Sequence, residues 1–502
     1  MARKANDTEG RFVVTMPLYP EPWQADLLEK RFKIMEHLQN SLIAMELRKL
    51  HSIQHTKKWR ELEKKILETE KGKRGILYKE RKALLWEAGI NQNSFESDMT
   101  PMQKHFSMHI SAQVAHKTAN DVWRAFEKVL FGTGDMVSFK KRGTLKSVGT
   151  KTNSMSINNG FFVWAGGLVT DKDGKKRVLS TLSIRMKKPT TDYELEAFSN
   201  PPATYRILKQ WYRNKVKWYV QITFKGKVPQ RKRVIGESRI GIDIGTSSIA
   251  IVSSQNVRLL ELAPNIVVTS QKKAVILRKM DRSRRASNPE NYNSDGTIKR
   301  GLKLTHYESH RYKILQGEYR ALARREAAQR KYQHILLANW ITSLGTEVYV
   351  ENMDFSALQH RAKKTEISEK TGRFKRKKRF GKSLANRAPA MLISILDGKL
   401  KNLNGIGIHK VDKWDYKASQ YDHTTGECHK KELSERLVIL GNGDVVQRDM
   451  YSAWLIMNAD ETLKHPNAEQ CNDTYHRFKE LHDREVERIR NSEKKLSSFG
   501  IV

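Results

Sequence analysis

A single acid inside an apolar run is the sequence feature that most constrains the fold. Asp243 has isoleucine on both sides in the run RIGIDIGTSSIAIV, which begins at Arg239. The aliphatic residues predict a buried strand over 239–253. A carboxylate in such a strand costs free energy unless it is paired, hydrogen-bonded or bound to a metal. We therefore expect Asp243 to have a specific partner.

Two further acids lie at the borders of apolar segments. Glu351 follows a buried strand predicted at 347–350, and Asp449 begins a helix. Carboxylates from three separate elements can bind two Mg²⁺ ions about 4 Å apart, which suits phosphodiester hydrolysis. For single residues, simpler roles are open: a strand-end surface acid for Glu351 and a helix N-cap for Asp449. The nearby Asp354 and Asp444 are expected to be solvated.

The charge of the chain indicates a polyanionic partner. In 502 residues, 93 Lys and Arg stand against 55 Asp and Glu, which gives a net charge of +38. Nucleic acid is the favoured partner, because phosphate contacts gain affinity through counterion release. Combined with three acids that suit Mg²⁺, this charge predicts a nuclease.

Several classes of protein are disfavoured by what the sequence lacks. No run of 18 apolar residues occurs, so we expect no membrane span, and the N-terminal residues lack the apolar core of a signal peptide. Only two cysteines occur, Cys428 and Cys471, which excludes a disulfide framework or a four-thiolate zinc site within this chain. We expect a reducing, cytoplasmic location.

Changes of periodicity predict the organisation of the chain. A strand at 11–19 precedes a helical region from about 23 to 131, in which 57–82 forms a solvated helical hairpin. Turn signals between short apolar runs predict an antiparallel barrel or sandwich over 133–228. From 239 onward strands and helices alternate. The elements expected there are strands near 258–262, 347–350 and 407–411, and helices at 310–342, 383–400 (broken near Pro389) and 473–495, with 412–446 irregular.

The strings around the three acids resemble the three RuvC motifs of the TnpB family. These are RNA-guided endonucleases of bacterial insertion sequences, from which the compact type V CRISPR effectors descend. The string QRDMYSA, which begins at Gln447, is similar to the family's RDVNAA. It departs from the family at Tyr451, where asparagine is usual.

The resemblance covers the whole chain in outline and implies a multidomain α+β fold. It implies an RNase H-like (RuvC) α/β nuclease domain over 236–415 and 444–502. An antiparallel β-barrel (wedge) domain would comprise 1–22 and 132–235, with a helical recognition insert over 23–131. A degenerate zinc-ribbon-like insertion would occupy 416–443.

The function implied by the resemblance is RNA-guided cleavage of DNA. Asp243, Glu351 and Asp449 would be the catalytic residues and the ligands of two Mg²⁺ ions. The partners would be a guide RNA and double-stranded target DNA, bound by a monomer or by an asymmetric dimer on one RNA. Base pairing would read the sequence while the protein holds the backbone. The location implied is the bacterial cytoplasm, in association with the nucleoid.

The zinc ribbon of the family lacks its usual ligands in this chain. Glycines remain at both turns, but the four ligand positions hold Asp422, Thr425, Ile439 and Asn442. A structural zinc site requires thiolate or imidazole ligands, so we expect a hairpin without structural zinc. A replacement site formed by Cys428, His423 and His429 is the less favoured alternative.

Basic segments supply the candidate nucleic-acid contacts. The densest lies at 373–382, between the second strand and a helix of the nuclease domain, and Lys331 and the cations of 278–285 extend a second basic surface. Aromatic stacking by Trp211, Tyr212 and Trp218 is the less favoured alternative to core packing. The candidate contacts are Lys140, Lys141, Arg142, Arg324, Arg325, Arg373, Lys375, Arg376, Lys377, Lys378 and Arg379.

Three other functions were weighed against guided cleavage. The string DIGTS also resembles the phosphate-binding turn of an actin or sugar-kinase ATPase, but a second such turn is missing and ATP does not require a charge of +38. A nuclease-inactive, RNA-guided DNA-binding repressor would have lost its acids. Nothing indicates the strand-transfer activity of a transposase.

Overall fold

The computed structural model forms two compact units, Met1–Arg231 and Lys232–Val502, which are described separately. The residues described are 10–132, 134–150, 154–170, 173, 176–178, 180–212, 215–229, 233–302, 304–360, 365–368, 372, 380–429, 435–493 and 496–501.

Unit 1 combines an antiparallel sheet with helices, five of which occur in the sequence between its first two strands. Its strands are β1 (Arg11–Tyr19), β2 (Ser147–Gly149), β3 (Met155–Asn158), β4 (Phe161–Trp164), β5 (Leu168–Thr170), β6 (Lys176–Val178), β7 (Leu182–Met186), β8 (Pro202–Tyr212) and β9 (Lys215–Lys225). Its helices are α1 (Pro22–Gln54), α2 (Lys57–Glu68), α3 (Gly75–Glu87), α4 (Gln92–His105), α5 (Ala112–Leu130) and α6 (Asp192–Phe198).

The main sheet of unit 1 has the strand order β2-β8-β9-β1-β7-β4-β3, and every recorded pair in it is antiparallel. Alternate residues of β1 and β9 are buried, as expected for strands with one face in a core. The helices α1, α4 and α5 pack into the same core, where Phe32 meets Trp218 edge to face at 5.1 Å between ring centroids.

Unit 2 contains a mixed sheet covered by helices. Its strands are β10 (Arg239–Ile244), β11 (Ser248–Ser253), β12 (Val257–Glu261), β13 (Glu347–Glu351), β14 (His409–Val411), β15 (Leu437–Ile439) and β16 (Val445–Gln447). Its helices are α7 (Ile266–Ala286), α8 (His310–Leu344), α9 (Gly381–Arg387), α10 (Pro389–Asn404), α11 (Lys413–Tyr416), α12 (Arg448–Met457) and α13 (Ala468–Arg490).

The central sheet of unit 2 has the order β12-β11-β10-β13-β14, with β10, β13 and β14 parallel to one another. The two faces of the sheet have different cores. Ile240 and Ile242 of β10 pack with α8 and α10, whereas Tyr349 of β13 packs with α12 and α13. Because side chains alternate along a strand, the residues between the isoleucines of β10 face α12.

Gly241 permits α12 to lie directly on β10. A Cβ atom at Gly241 would stand 1.9 Å from the carbonyl oxygen of Ala453 and 2.4 Å from the backbone nitrogen of Met457. No side chain larger than hydrogen fits that space while the helix keeps its place. The glycine of the RIGID string is therefore required by close packing of helix on strand.

One predicted element requires correction, and one helix was not predicted. Segment 239–253 is not one strand, because Gly245 donates its N–H to the carbonyl of Ser248 (2.9 Å) and turns the chain, so that β10 and β11 form a hairpin. The helix α7 was not predicted; its N-cap residue, Asn265, makes no side-chain capping bond. The helix break is confirmed, with Ala388 at φ 47° between α9 and α10.

Among the residues that the structure describes, no helix combines the length and apolar character needed to cross a membrane.

Candidate active site

Asp243 and Glu351 lie at the same edge of the unit 2 sheet. The strands β10 and β13 are parallel, and Ile242 pairs with Val350, so the next residue of each strand is one of the two acids. Both acids alternate with residues of the α8–α10 face, which places them on the face covered by α12. The sheet therefore brings the first two predicted acids together at its carboxyl end.

The helix α12 adds Asp449 to this edge. Ala453, whose carbonyl meets Gly241, lies four residues after Asp449, and residues four apart share one side of a helix. Asp243 lies two residues beyond Gly241 on the same face of β10. The helix α12 therefore packs along β10 with Asp449 beside Asp243. The structure brings all three acids into one cluster.

The electrostatics of Asp243 reflect this cluster. Asp243 is partly buried. Burial, together with repulsion from the carboxylates of Asp449 and Glu351, raises its pKa well above the usual value, although Arg448 and Arg436 oppose the shift. Like charges held this close disfavour ionisation of one another unless a cation is present.

Asp449 is held by arginines and does not cap its helix. Its carboxylate oxygens lie 3.5 Å from Arg436 and 3.6 Å from Arg448. The N-cap of α12 is Gln447, whose Oε1 accepts the N–H of Met450 (2.8 Å). The predicted capping role of Asp449 is thus wrong, because a buried glutamine satisfies that turn instead.

The donor set of the cluster suits a hard divalent cation. Three carboxylates supply only oxygen ligands, the kind that Mg²⁺ prefers, and burial together with the charges of Asp449 and Glu351 raises the pKa of Asp243. Within the described ranges, however, no group of three or more His, Cys, Asp or Glu side chains is arranged to hold a metal ion as it stands. Cation binding would require Asp449 to exchange its arginine contacts for the ion.

Asp354 is exposed, as predicted, whereas Asp444 is partly buried, and both carboxylates accept hydrogen bonds. Asp354 accepts hydrogen bonds from the backbone N–H groups of Ser356 (2.9 Å) and Ala357 (3.2 Å). Asp444 accepts from the hydroxyl of Tyr475 (2.7 Å), and this bond leads the causes that lower its pKa. Neither acid is among the charges that shift the pKa of Asp243.

The four positions at which the family resemblance would place zinc ligands lie in or beside two hydrogen-bonded turns. Asp422 is buried and accepts bonds within its own turn and from Gly441 of the second turn, whereas Ile439 is exposed. In the proposed replacement site, Cys428 is exposed and His423 contacts the hydroxyl of Tyr451. The residues described here contain no metal-holding group of this kind.

In unit 1, backbone contacts fix the basic segment 140–142 and leave its side chains exposed. Asn40 exchanges two hydrogen bonds of 2.8 Å with the backbone of Lys140. The buried carboxylate of Glu36 accepts the N–H groups of Gly143 and Thr144 (2.8 and 3.0 Å). The exposed cations Lys140, Lys141 and Arg142 are therefore presented on an ordered turn.

In unit 2, basic side chains surround a cavity between the end of α7 and the start of α8. The cavity has a volume of about 530 Å³. Its polar lining comes from Lys279, Arg282, Arg311, Ser283, Ser287 and Ser309. Arg325 and Lys331 of α8 are exposed, and Arg324 is partly buried. The remaining predicted contacts, Arg373, Lys375, Arg376, Lys377, Lys378 and Arg379, lie outside the described residues.

The three candidate stacking aromatics have different environments. Trp218 is buried in the core of unit 1, so a stacking role for it is wrong. Trp211 and Tyr212 are exposed by 48% and 47% at the end of β8. Lys209 and Lys217 lie over their rings at 5.6 and 4.8 Å, which gives this end of the strand both aromatic and positive character.

Sequence reasoning missed the residues that hold Asp449. Gln447 is buried, and its backbone N–H donates to Nε2 of His482 (2.8 Å). Arg436 lies across the hairpin of β15 and β16, where its carbonyl accepts the N–H of Arg448 (2.9 Å). These two contacts join residues 35 and 12 positions apart, so no local pattern in the sequence indicates them.

Comparisons with known proteins gave matches among solved structures alone. No family model matches the chain, and no curated protein matches it. A Cas12f1–sgRNA–target DNA complex solved by cryo-EM is 10% identical, with a TM-score of 0.47, over 90% of this chain and 99% of that chain. A CRISPR–Cas12f ternary complex is 14% identical, with a TM-score of 0.26, over 86% of this chain and 82% of that chain.

A Cas12i1 R-loop complex, captured before target DNA cleavage, is 9% identical, with a TM-score of 0.25, over 80% of this chain and 57% of that chain. The similarity to these three structures is weak both in sequence identity and in TM-score. The arrangement of the three acids stands independently of it.

Proposed function

We propose that the chain is an RNA-guided DNA endonuclease with one hydrolytic site, formed by Asp243, Glu351 and Asp449. The observation that carries the proposal is the meeting of these three acids at one sheet edge, where burial, together with repulsion from Asp449 and Glu351, raises the pKa of Asp243. A fold that tolerates this repulsion without a cation is expected to gain from binding one. The motif strings around the acids support the same assignment.

Each acid has a defined part in this proposal. Two Mg²⁺ ions held by the carboxylates would supply the charge that activates water and stabilises the leaving oxygen. Asp243 and Glu351 are fixed by the backbone of paired strands, so their carboxylates need little reorganisation. Asp449, on α12, completes the ligand set, and Arg436 and Arg448 balance its charge before a cation binds.

The nucleic-acid partners are proposed from charge. A net charge of +38 favours a large polyanion. The ordered turn with Lys140, Lys141 and Arg142, and the basic cavity between α7 and α8, offer phosphate contacts on both units. A guide RNA and a double-stranded DNA target are the partners that fit the motif strings, with one copy of the chain or two on each RNA.

The first test is the RNA that copurifies when the chain is expressed with its flanking DNA. A discrete structured RNA that ends in a variable stretch supports guided cleavage. Random RNA contradicts the guided part of the proposal and indicates a nonspecific binder. The variable stretch also defines the DNA target for the cleavage assay.

The second test is Mg²⁺-dependent cleavage of that target by wild type, Asp243→Ala and Glu351→Gln. We expect both variants to lose cleavage by about 10³-fold or more, because several kcal/mol of transition-state stabilisation disappear. Both should retain the bound RNA. Cleavage by Asp243→Ala at the wild-type rate contradicts the site assignment. A wild type that binds target without cutting it favours the repressor alternative.

A further inference from the structure

Tyr451 connects the helix of Asp449 to a loop outside the acid cluster. It lies two residues after Asp449 on α12 and is 1% exposed. Its hydroxyl oxygen accepts the backbone N–H of His423 (3.0 Å) and lies 2.8 Å from Nδ1 of the same residue. His423 belongs to residues 419–429, hereafter called the knuckle loop. Tyr451, two residues from Asp449, is thus hydrogen-bonded to the knuckle loop.

The ring of His423 is enclosed by aromatic side chains from two helices. Its centroid lies 4.8 Å from that of Trp454 on α12 and 4.4 Å from that of Tyr475 on α13. Tyr451 stacks on Trp454 at 5.5 Å. Burial lowers the pKa of His423, so a neutral ring can accept the hydroxyl proton of Tyr451. Both hydrogen bonds between the two residues can therefore form together.

A carboxylate closes the knuckle loop. Oδ1 of the buried Asp422 accepts bonds from the backbone N–H (2.9 Å) and hydroxyl (2.7 Å) of Thr424. Its Oδ2 accepts the N–H of Gly441 (2.9 Å), which lies in the turn between β15 and β16. Burial acts to raise the pKa of Asp422, but these bonds lower it overall. The ionised carboxylate therefore joins two turns that are distant in sequence.

The two connections meet at the start of α12. The strand β16 ends at Gln447, and the helix begins at the next residue. Through Asp422 the knuckle loop holds the turn that leads into β16, and through His423 it holds the first turns of the helix. Asp449 lies between these two points of attachment. Its position over the sheet therefore depends on the order of a loop that contains none of the acids in the cluster.

We propose that Tyr451 is a positioning residue for Asp449, which couples closure of the knuckle loop by Asp422 to the divalent-cation affinity of the acid cluster. This inference rests on the proposed function only in that the cluster binds a cation. The loop itself, closed by a carboxylate, is expected to hold its order without zinc.

The central test is Tyr451→Phe in the full chain, which removes the hydroxyl and keeps the ring. Cation affinity is measured with Mn²⁺ by electron paramagnetic resonance, and order is measured by hydrogen exchange. We expect Mn²⁺ affinity to fall about fivefold to tenfold, as for other residues that orient metal ligands. Exchange should quicken in the knuckle loop and in the first turn of α12, while the core helix α8 stays protected.

Tyr475→Phe is the matched control. It removes the same hydroxyl from the same aromatic cluster, but that hydroxyl donates to Asp444, beside the turn between β15 and β16, and not to the knuckle loop. A loss of general packing would affect both variants alike. We expect Tyr475→Phe to leave the Mn²⁺ affinity within about twofold of wild type, a difference too small to indicate coupling.

Asp422→Asn tests the closure of the loop from its other end. The amide has one acceptor oxygen, so it loses the bond to either Thr424 or Gly441. We expect Mn²⁺ affinity to fall and hydrogen exchange to quicken, as in Tyr451→Phe. In the double variant the loss of affinity should be smaller than the sum of the two single losses, because both substitutions act through one loop. A zinc-selective chelator should leave hydrogen exchange in wild type unchanged.

The outcomes separate this inference from the proposed function. A wild type that binds no Mn²⁺ contradicts the cation site itself. A wild type that binds Mn²⁺ as tightly as Tyr451→Phe does overturns the positioning role and leaves the site intact. Equal losses in Tyr451→Phe and Tyr475→Phe also overturn it, since packing alone would explain them. Faster exchange after zinc chelation overturns closure by Asp422.

Discussion

The fold without a cation disfavours the ionised form of Asp243. Burial and the carboxylates of Asp449 and Glu351 act together to raise its pKa, and Arg448 and Arg436 oppose the shift only in part. A structural acid would be expected to show the opposite balance, with its partners stabilising the ionised form. At the scale of one residue, this balance distinguishes Asp243 from a carboxylate whose partners stabilise its ionised form.

The variant Asp243→Asn removes that charge with little change in volume. Without divalent cations at neutral pH we expect its unfolding midpoint to rise by about 2–4 °C, the shift that about 1 kcal/mol produces in a domain of this size. With Mg²⁺ at 100 times its Kd, wild type should gain about 2.7 kcal/mol. The variant should gain far less, so the order of stability reverses. Calorimetry with and without Mg²⁺ measures both values, and an unchanged order contradicts the assignment.

His482 makes the start of α12 sensitive to acid. Its Nε2 accepts the N–H of Gln447, Nδ1 lies 2.8 Å from Asp483, and burial, with a smaller contribution from Lys479, lowers its pKa. A histidine with a lowered folded pKa contributes stability above its unfolded pKa of about 6.5, and this is lost as pH falls. We expect wild type to lose more stability than His482→Gln between pH 7 and 5. Denaturant unfolding at both pH values measures this, and equal losses contradict it.

The contact between α12 and β10 determines the site at the scale of elements. Sheet pairing alone aligns Asp243 with Glu351, but the third acid comes from a helix whose approach depends on Gly241. Every residue of α12 from Met450 to Met457 is buried, so a displacement of the helix would disrupt packing on all of its sides. Small changes at this contact should therefore affect both stability and the site.

Gly241→Ala tests this contact. The added Cβ meets backbone atoms of α12 at 1.9 and 2.4 Å, which a rotamer change does not relieve. We expect destabilisation by about 3 kcal/mol, at the upper end for overpacking. The control is Gly398→Ala in α10, where a Cβ meets nothing within 4 Å and helix propensity should stabilise by about 0.5–1 kcal/mol. Denaturant unfolding compares the two, and similar stabilities contradict the packing argument.

The sequence predicted the elements with strong periodicity and missed those set by tertiary contacts. β1 and β9 alternate buried and exposed residues, and their predictions are confirmed, as are those of the helices α8 and α12. α7 was missed because charged residues interrupt its apolar runs and its N-cap residue makes no side-chain capping bond. Gln447 and Asp422 also have hydrogen-bond partners 52 and 19 residues away, which no local pattern indicates.

At the scale of the whole molecule, charge rather than any single contact should govern nucleic-acid affinity. The net charge of +38 is spread over both units. Phosphate contacts release counterions, so the logarithm of the binding constant should fall linearly with the logarithm of salt concentration. The slope of this line is proportional to the number of phosphate contacts. It therefore distinguishes cations that bind nucleic acid from cations that are only exposed.

Replacing Lys140, Lys141 and Arg142 together by alanine should reduce the slope for single-stranded RNA by about 2, at about 0.7 for each lost contact. The control replaces Lys57, Lys64 and Lys73, exposed cations that already lie 3.9, 3.9 and 3.2 Å from glutamates of their own segments. We expect the control to retain the wild-type slope. Binding isotherms at several salt concentrations measure both, and equal slopes remove the turn from the interface.

The central claim is that Asp243, Glu351 and Asp449 form one divalent-cation site, and counting bound Mn²⁺ by electron paramagnetic resonance tests it most directly. We expect wild type to bind two ions, and Asp243→Asn, Glu351→Gln and Asp449→Asn each to weaken that binding by about tenfold or more. Asp444→Asn, which changes an acid outside the cluster, should bind as wild type does. Three variants with wild-type affinity, or a loss confined to Asp444→Asn, would contradict the claim.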